Sequence, residues 1–348
     1  MRTQLDQMLD TTLDLWDRLP GGKIARWLAG LLLAYLLLAL PVGLYWSFTP
    51  AAFEPAREAK ADAEARGLQP TTGYTTVYSL HQVIDTLLHK PGGFTHNDRL
   101  PPGVWLDNIS NWEYGALIQA RDLSRALRKD FSRSQSQSVE IPALTDAEPK
   151  FNYDASSWLL PSSESQYKKG LKALDQYWQA LGDSSAKQSQ FFARADNLNN
   201  WLGDVQTRLG SLSQRLSASV GQKRLNTDLA GDPAASQSTA TGAETEVKTP
   251  WLEIDDVFYE ARGSAWAILH FLKAIETDFG PVLDKKNARV SLRQIIRELE
   301  ATQDTVWSPV ILNGGGFGVF ANHSLVMANY ISRANAAIID LRELLNRG

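Results

Sequence analysis

Apolar residues recur along this chain at helical spacing, except in one stretch where polarity disappears. From Trp27 to Phe53 (WLAGLLLAYLLLALPVGLYWSFTPAAF) no charge intervenes between Arg26 and Glu54. An α-helix needs about 20 mostly apolar residues to cross a bilayer. Residues 24–53 are therefore expected to form a transmembrane helix whose partner is lipid. Trp27, Tyr45 and Trp46 stand at its ends, where amphipathic rings favour the headgroups. The run is longer than the core of a signal peptide, the leader carries four aspartates, and Thr49-Pro50-Ala51 is a poor cleavage site, so an uncleaved anchor is expected. Basic residues tie across the span (Arg18, Lys23, Arg26 before; Arg57, Lys60, Arg66 after), but those before it lie nearer the membrane. The expected orientation is N-terminus inside and body outside.

Around this anchor the pattern predicts a mainly α-helical protein. Residues 1–23 read as a short cytoplasmic amphipathic leader (Leu5, Met8, Leu9, Leu13, Trp16), and 54–70 as a polar helical stalk ending at Gly67. Residues 71–348 then form a soluble multi-helix bundle with long loops. Helices are expected over Ser79–His89, Trp112–Phe131, Ser162–Leu181, Pro250–Phe279, Val290–Glu300 and Asn322–Asn346. The strongest period is Leu198, Leu202, Val205, Leu209, Leu212, Leu216, spacings of four and three that make a seam internal to the bundle, with Leu171, Leu174, Trp178 and Ile268 as candidate partners. Loops are expected at 91–109, 134–157 and 226–249. The last is a small, polar, flexible linker, and a hairpin is possible at most near 310–320.

Composition narrows the chemistry. The chain has no cysteine, which removes disulfides, thiolate metal sites and a cysteine nucleophile. A net charge of −4 gives no broad basic surface, so nucleic acid is not an expected partner. Eight tryptophans follow the span, and most are expected in the helical core.

Several phrases, taken together, point to a family. They are the YWS end of the span, His89-Lys90-Pro91-Gly92-Gly93, Pro101-Pro102-Gly103-Val104-Trp105-Leu106-Asp107-Asn108, Arg194-Ala195-Asp196-Asn197-Leu198, Arg208-Leu209-Gly210-Ser211-Leu212-Ser213 and Ala321-Asn322-His323-Ser324-Leu325. In these the chain resembles the DUF2333 family of bacterial proteins over nearly its whole length. The resemblance implies an inner-membrane protein with one span and carries over no catalytic residue.

No catalytic, cofactor-binding or metal residue is assigned from the sequence. Asn313-Gly314-Gly315-Gly316-Phe317-Gly318 precedes a helix as an anion-binding turn does, but it lacks the lysine of a nucleotide loop and reads better as a plain turn. His81, His89, His96, His270 and His323 show no metal-ligand spacing, and His96 with Asp98 reads as a solvated turn. Asp107, Glu113, Asp255, Asp256 and Glu260 are acids near aromatics. Arg262-Gly263-Ser264-Ala265 lacks the second glycine of a serine-hydrolase elbow. The expected role is a membrane-anchored, periplasm-facing interaction or scaffold protein with an envelope protein as partner. The alternative is a periplasmic enzyme or binding protein acting on an envelope polymer, with its site in the 94–113 loop. A concave pocket holding two buried carboxylates would favour the enzyme, and a broad exposed apolar patch the interaction protein.

Overall fold

A computed structural model describes residues 23–134, 140–183, 190–225 and 244–347. The leader expected over 1–23 and the centre of the 226–249 linker lie outside these residues.

The apolar run folds as α1 (Lys23–Trp46), continuing through Pro41. It is long and apolar enough to cross a membrane, and nearly all of its surface is exposed. It stops at Trp46, short of the Phe53 expected. Residues 47–54 instead climb the body in extended form, and Phe53 stacks on His270 with ring centroids 3.9 Å apart. His270 is fully buried; its Nε2 accepts the Phe53 N–H at 2.9 Å, which leaves Nδ1 to donate to the Trp266 carbonyl.

Next comes α2 (Pro55–Arg66), opened by Pro55 and closed by Gly67 at φ 67°. It does not stand free as a stalk. Ala59 and Ala63 are buried, and Tyr74 and Tyr78 donate to Asp62 and Glu58. Two alanines make a narrow apolar stripe, which is why the segment looks polar in sequence.

The core is built from α3 (Tyr74–His89), α4 (Asp107–Ala126), α6 (Ser163–Gly182), α7 (Ala195–Ser217), α8 (Ile254–Asp278) and α11 (His323–Asn346). Shorter α9 (Gly280–Lys285) and α10 (Arg289–Ala301) cover one side. At the centre α4 and α8 run side by side in the same direction, with Asn111 bonded to Asp256 and Ser264 to the Gly115 carbonyl. The two backbones nearly touch. A Cβ on Gly115 would meet the Glu260 carbonyl oxygen at 2.0 Å, and one on Gly263 the Trp112 oxygen at 1.9 Å.

All six seam residues of α7 are buried, as expected of an internal seam. Their main partner, however, is α11, which lies antiparallel: Asn199 bonds to Asn346, and Ser213 to the Ala328 carbonyl. On the flank facing α4, the buried Asp122 accepts from Arg125 and Arg208.

Three segments differ from expectation. Within the 134–157 loop lies α5 (Pro142–Phe151), where Leu144, Ala147 and Phe151 are buried and Pro142 serves as a first-turn residue. β1 (Gln222–Leu225), just before the 226–249 linker, pairs antiparallel with β2 (Glu244–Val247) within it. Residues 310–320 form no strand hairpin, only a bridge between Asn313 and Asn322.

This arrangement gathers the starts of α4, α8 and α11 and the ends of α3 and α7 at one end of the bundle. From that end α1 projects. Its Leu36, Ala39, Gly43 and Trp46 form the one stripe that meets the body. There the Tyr35 hydroxyl donates to the Pro101 carbonyl, a Cβ on Gly43 would lie 3.1 Å from Pro102, and Trp46 packs where Gly92 (φ 85°) leaves room.

Candidate functional site

The 90–106 segment that receives α1 is held by one buried acid. Glu113, on α4, is completely buried and forms an ion pair with the equally buried Lys90. Its two oxygens also accept from Thr95 N, Thr95 Oγ and His96 N at 2.8–3.0 Å, and Lys90 Nζ donates to the Gly93 carbonyl. Burial pushes the Glu113 carboxyl upward, and Lys90 and Thr95 oppose it. Every strong acceptor direction of this carboxylate is occupied, so it fixes the Lys90–His96 turn and has none left for a substrate.

A second feature is an open cleft of about 350 Å³ beside the start of α11. At its base is Arg262, 7% exposed, which donates to the carbonyls of Thr302, Gln303 and Asp304. The guanidinium thus caps the carbonyl end of α10, and burial lowers its pKa. Phe258, Trp307, His323 and Tyr330 form aromatic walls around it. Beyond the cleft, the 307–320 segment is pinned at Ile311, which packs on the core, and at Asn313, which donates to the Ser219 carbonyl, and exposes apolar side chains on either side. Trp307 is 91% exposed, and Phe317, Val319 and Phe320 are exposed with it.

Carboxylates crowd at one place, the shared start of α4 and α8. Burial raises Asp256 to about 6, repulsion from Asp107, Asp255 and Glu253 adds to the rise, and Asn111 donates to it at 2.7 Å. The cluster is partly exposed; Asp107, Asp255 and Asp256 lie outside the Arg262 cleft, and Glu253 lines a separate open cleft with Arg215 and Val257.

Comparison with protein families matches residues 22–348 to a model described as "Uncharacterized protein conserved in bacteria (DUF2333)". The chain belongs to the DUF2333 family. Neither a curated protein nor a solved structure matches it. The bacterial family, the mainly helical bundle and, among the described residues, the single apolar N-terminal helix agree with the sequence-based reading.

In this DUF2333 chain the sequence candidates separate. His96 is held by Ser110 and stacks on Tyr114 (centroids 5.2 Å apart), so it is a packed residue of the turn and not a solvated one. Among the described residues no three His, Asp or Glu side chains gather as a metal site. His81 packs against Trp178, and His89 pairs with Asp85. Ser264 serves the α4–α8 contact, and Glu260 pairs with Arg215. The glycine-rich turn is closed from within: Asn322 caps α11 through Leu325 N and donates back to Asn313 and Gly314, so its amide binds the turn itself. Neither Lys90 nor Arg262 was assigned a role from the sequence. Arg262 had a signal, being a charge at the head of the uncharged run 263–272, whereas Lys90 pairs across 23 residues and had none.

Proposed function

We propose that this DUF2333 chain is a single-span protein of the bacterial inner membrane. Residues 24–46 anchor it, its N-terminus is cytoplasmic, and its helical body faces the periplasm as an interaction or scaffold module of the envelope. The observation that carries this reading is the 307–320 segment. It holds Trp307, Phe317, Val319 and Phe320 in solvent beside the Arg262 cleft, on a body whose helices otherwise bury their aromatic rings. Exposed apolar surface of this kind marks a contact site. The enzyme reading draws its support from the Asp107–Asp255–Asp256 cluster, where burial and neighbouring carboxylates raise Asp256 to about 6.

A photo-crosslinking residue at Phe317, compared with one at Val290, tests the proposal in intact cells. A discrete protein adduct at 317 and none at 290 is expected. Adducts equal at both sites, or none at 317, would remove the interaction role. A reporter fused after Gly348 should be active in the periplasm; activity in the cytoplasm alone reverses the topology.

A further inference from the structure

The body meets α1 along its side, with the contact running well below Trp46. Tyr35, which binds the Pro101 carbonyl, precedes Trp46 by eleven residues, or about 16 Å of helix. The hydrocarbon layer is about 30 Å thick. With Tyr45 and Trp46 among the headgroups, the Leu100–Leu106 turn lies inside the leaflet on the body's side.

The turn is chemically suited to that place. From Leu100 to Leu106 (LPPGVWL) it carries no charge, and Leu100, Val104 and Trp105 are exposed. Backbone groups in hydrocarbon need partners within the protein, and this turn supplies many of its own. Pro101 and Pro102 have no N–H. The carbonyls of Leu100, Pro102 and Gly103 accept from Val104, Trp105 and Leu106, and the Pro101 carbonyl accepts from Tyr35.

A neighbouring loop extends the surface. Asn97 and Arg99 donate to the carbonyls of Ser157 and Ser156, which brings the 156–161 loop alongside. Its Trp158, Leu159 and Leu160 are exposed, Leu160 at 88%. Outside α1, the large exposed apolar residues among the described ones lie at this end of the bundle, with Val290 and Ile339 as exceptions.

We propose that the 100–106 and 158–160 loops are immersed in the bilayer beside α1, so that the body is a monotopic domain seated in the membrane and not a domain tethered above it. The occupant of this surface is lipid acyl chain, because the 100–106 turn lies against α1 at Tyr35 and Gly43 and the 156–161 loop is bonded beside it, so the medium around the helix there reaches both. The proposal rests on α1 being a membrane span, and the experiment separates the two claims.

The absence of cysteine allows single-site labelling of the full chain in phosphatidylcholine vesicles. Val104→Cys and Leu159→Cys carry the test, Leu38→Cys reports the span, and Val290→Cys and Ile339→Cys report the far surface. Each is labelled with a small fluorophore and exposed to lipid-borne spin quencher or to aqueous iodide. The expected result is a loss of emission with the lipid quencher at 104 and 159 equal to that at 38, and none at 290 or 339. Iodide quenching at 104 and 159 with lipid quenching at 38 overturns the immersion and leaves the anchor standing. Absence of lipid quenching at 38 removes the anchor, and the immersion with it. Shielding of 104 and 159 from both quenchers means that protein covers the loops, which also refutes lipid as the occupant.

Discussion

Gly115 and Gly263 test whether the α4–α8 crossing sets the stability of the body. Alanine is the better helix former by up to about 1 kcal/mol, so propensity alone predicts that Gly→Ala stabilises. Geometry predicts the reverse. The added Cβ would stand 2.0 Å from the Glu260 oxygen at position 115 and 1.9 Å from the Trp112 oxygen at 263. Carbon and oxygen need roughly 3.3 Å, so the helices must part by about 1 Å over a contact that includes the Ser264–Gly115 hydrogen bond and the Trp112–Trp266 pair. Overpacking of this kind costs about 1–3 kcal/mol, and loss of the hydrogen bond adds about 1 kcal/mol. A net loss of about 1–3 kcal/mol is expected for each variant. Gly210 is the internal control, because a Cβ there finds only Asn335 Nδ2 at 3.5 Å, an ordinary contact, and alanine should stabilise. Urea unfolding of the detergent-solubilised chain, followed by tryptophan emission, gives all three midpoints. A Gly115→Ala or Gly263→Ala protein as stable as the parent would refute the close crossing.

Lys90→Met should cost about 3–5 kcal/mol, since it strands the buried Glu113 carboxylate; a loss below 1 kcal/mol in the same assay would mean that the pair is solvated. Burial lowers His270 to about 3 from an unfolded value near 6.5, so its contribution is complete above pH 6.5 and is lost as pH falls toward 3. His270→Gln should therefore flatten the acid loss of stability relative to the parent. Asp278, raised to about 6 by burial, works in the opposite sense in both proteins and cancels from the comparison. An unchanged acid limb would disprove the assignment to His270. Leu209→Ala should cost about 2–5 kcal/mol through a cavity in the α7–α11 seam and leave oligomeric state unchanged; dissociation of a dimer with unaltered melting of the monomer would make the seam intermolecular.

What was legible in the sequence was what repeats. The seam of α7 and the apolar run of α1 carry many residues each, and both formed, although the seam's partner proved to be α11, which no spacing could indicate. Proline misled in the 134–157 stretch, because Pro142 starts a helix as readily as it stops one. The tryptophans divided by location. Trp112, Trp178, Trp201 and Trp266, on helices, are buried, whereas Trp105, Trp158, Trp251 and Trp307, in loops or short 3-10 turns, are exposed. Composition alone had placed most of them in the core. The Lys90–Glu113 pair was invisible, since it depends on a glycine turn folding back over α4. The apolar end of the bundle emerged only once distant loops were seen together.

The grip of the Leu100–Leu106 turn on Tyr35 and Gly43 also sets how mechanical load travels. A sideways pull on α1 does not have to pass along residues 47–54 alone. It enters through Pro102 and reaches α4 by two routes, directly at Asp107 and by way of the turn pinned to Glu113. From there it arrives at the glycine crossing with α8. Anchor and bundle therefore tilt together, and the azimuth of α1 about its own axis is fixed relative to the Arg262 cleft. If α1 spans a membrane, a neighbour in it would meet that cleft at one height and from one bearing.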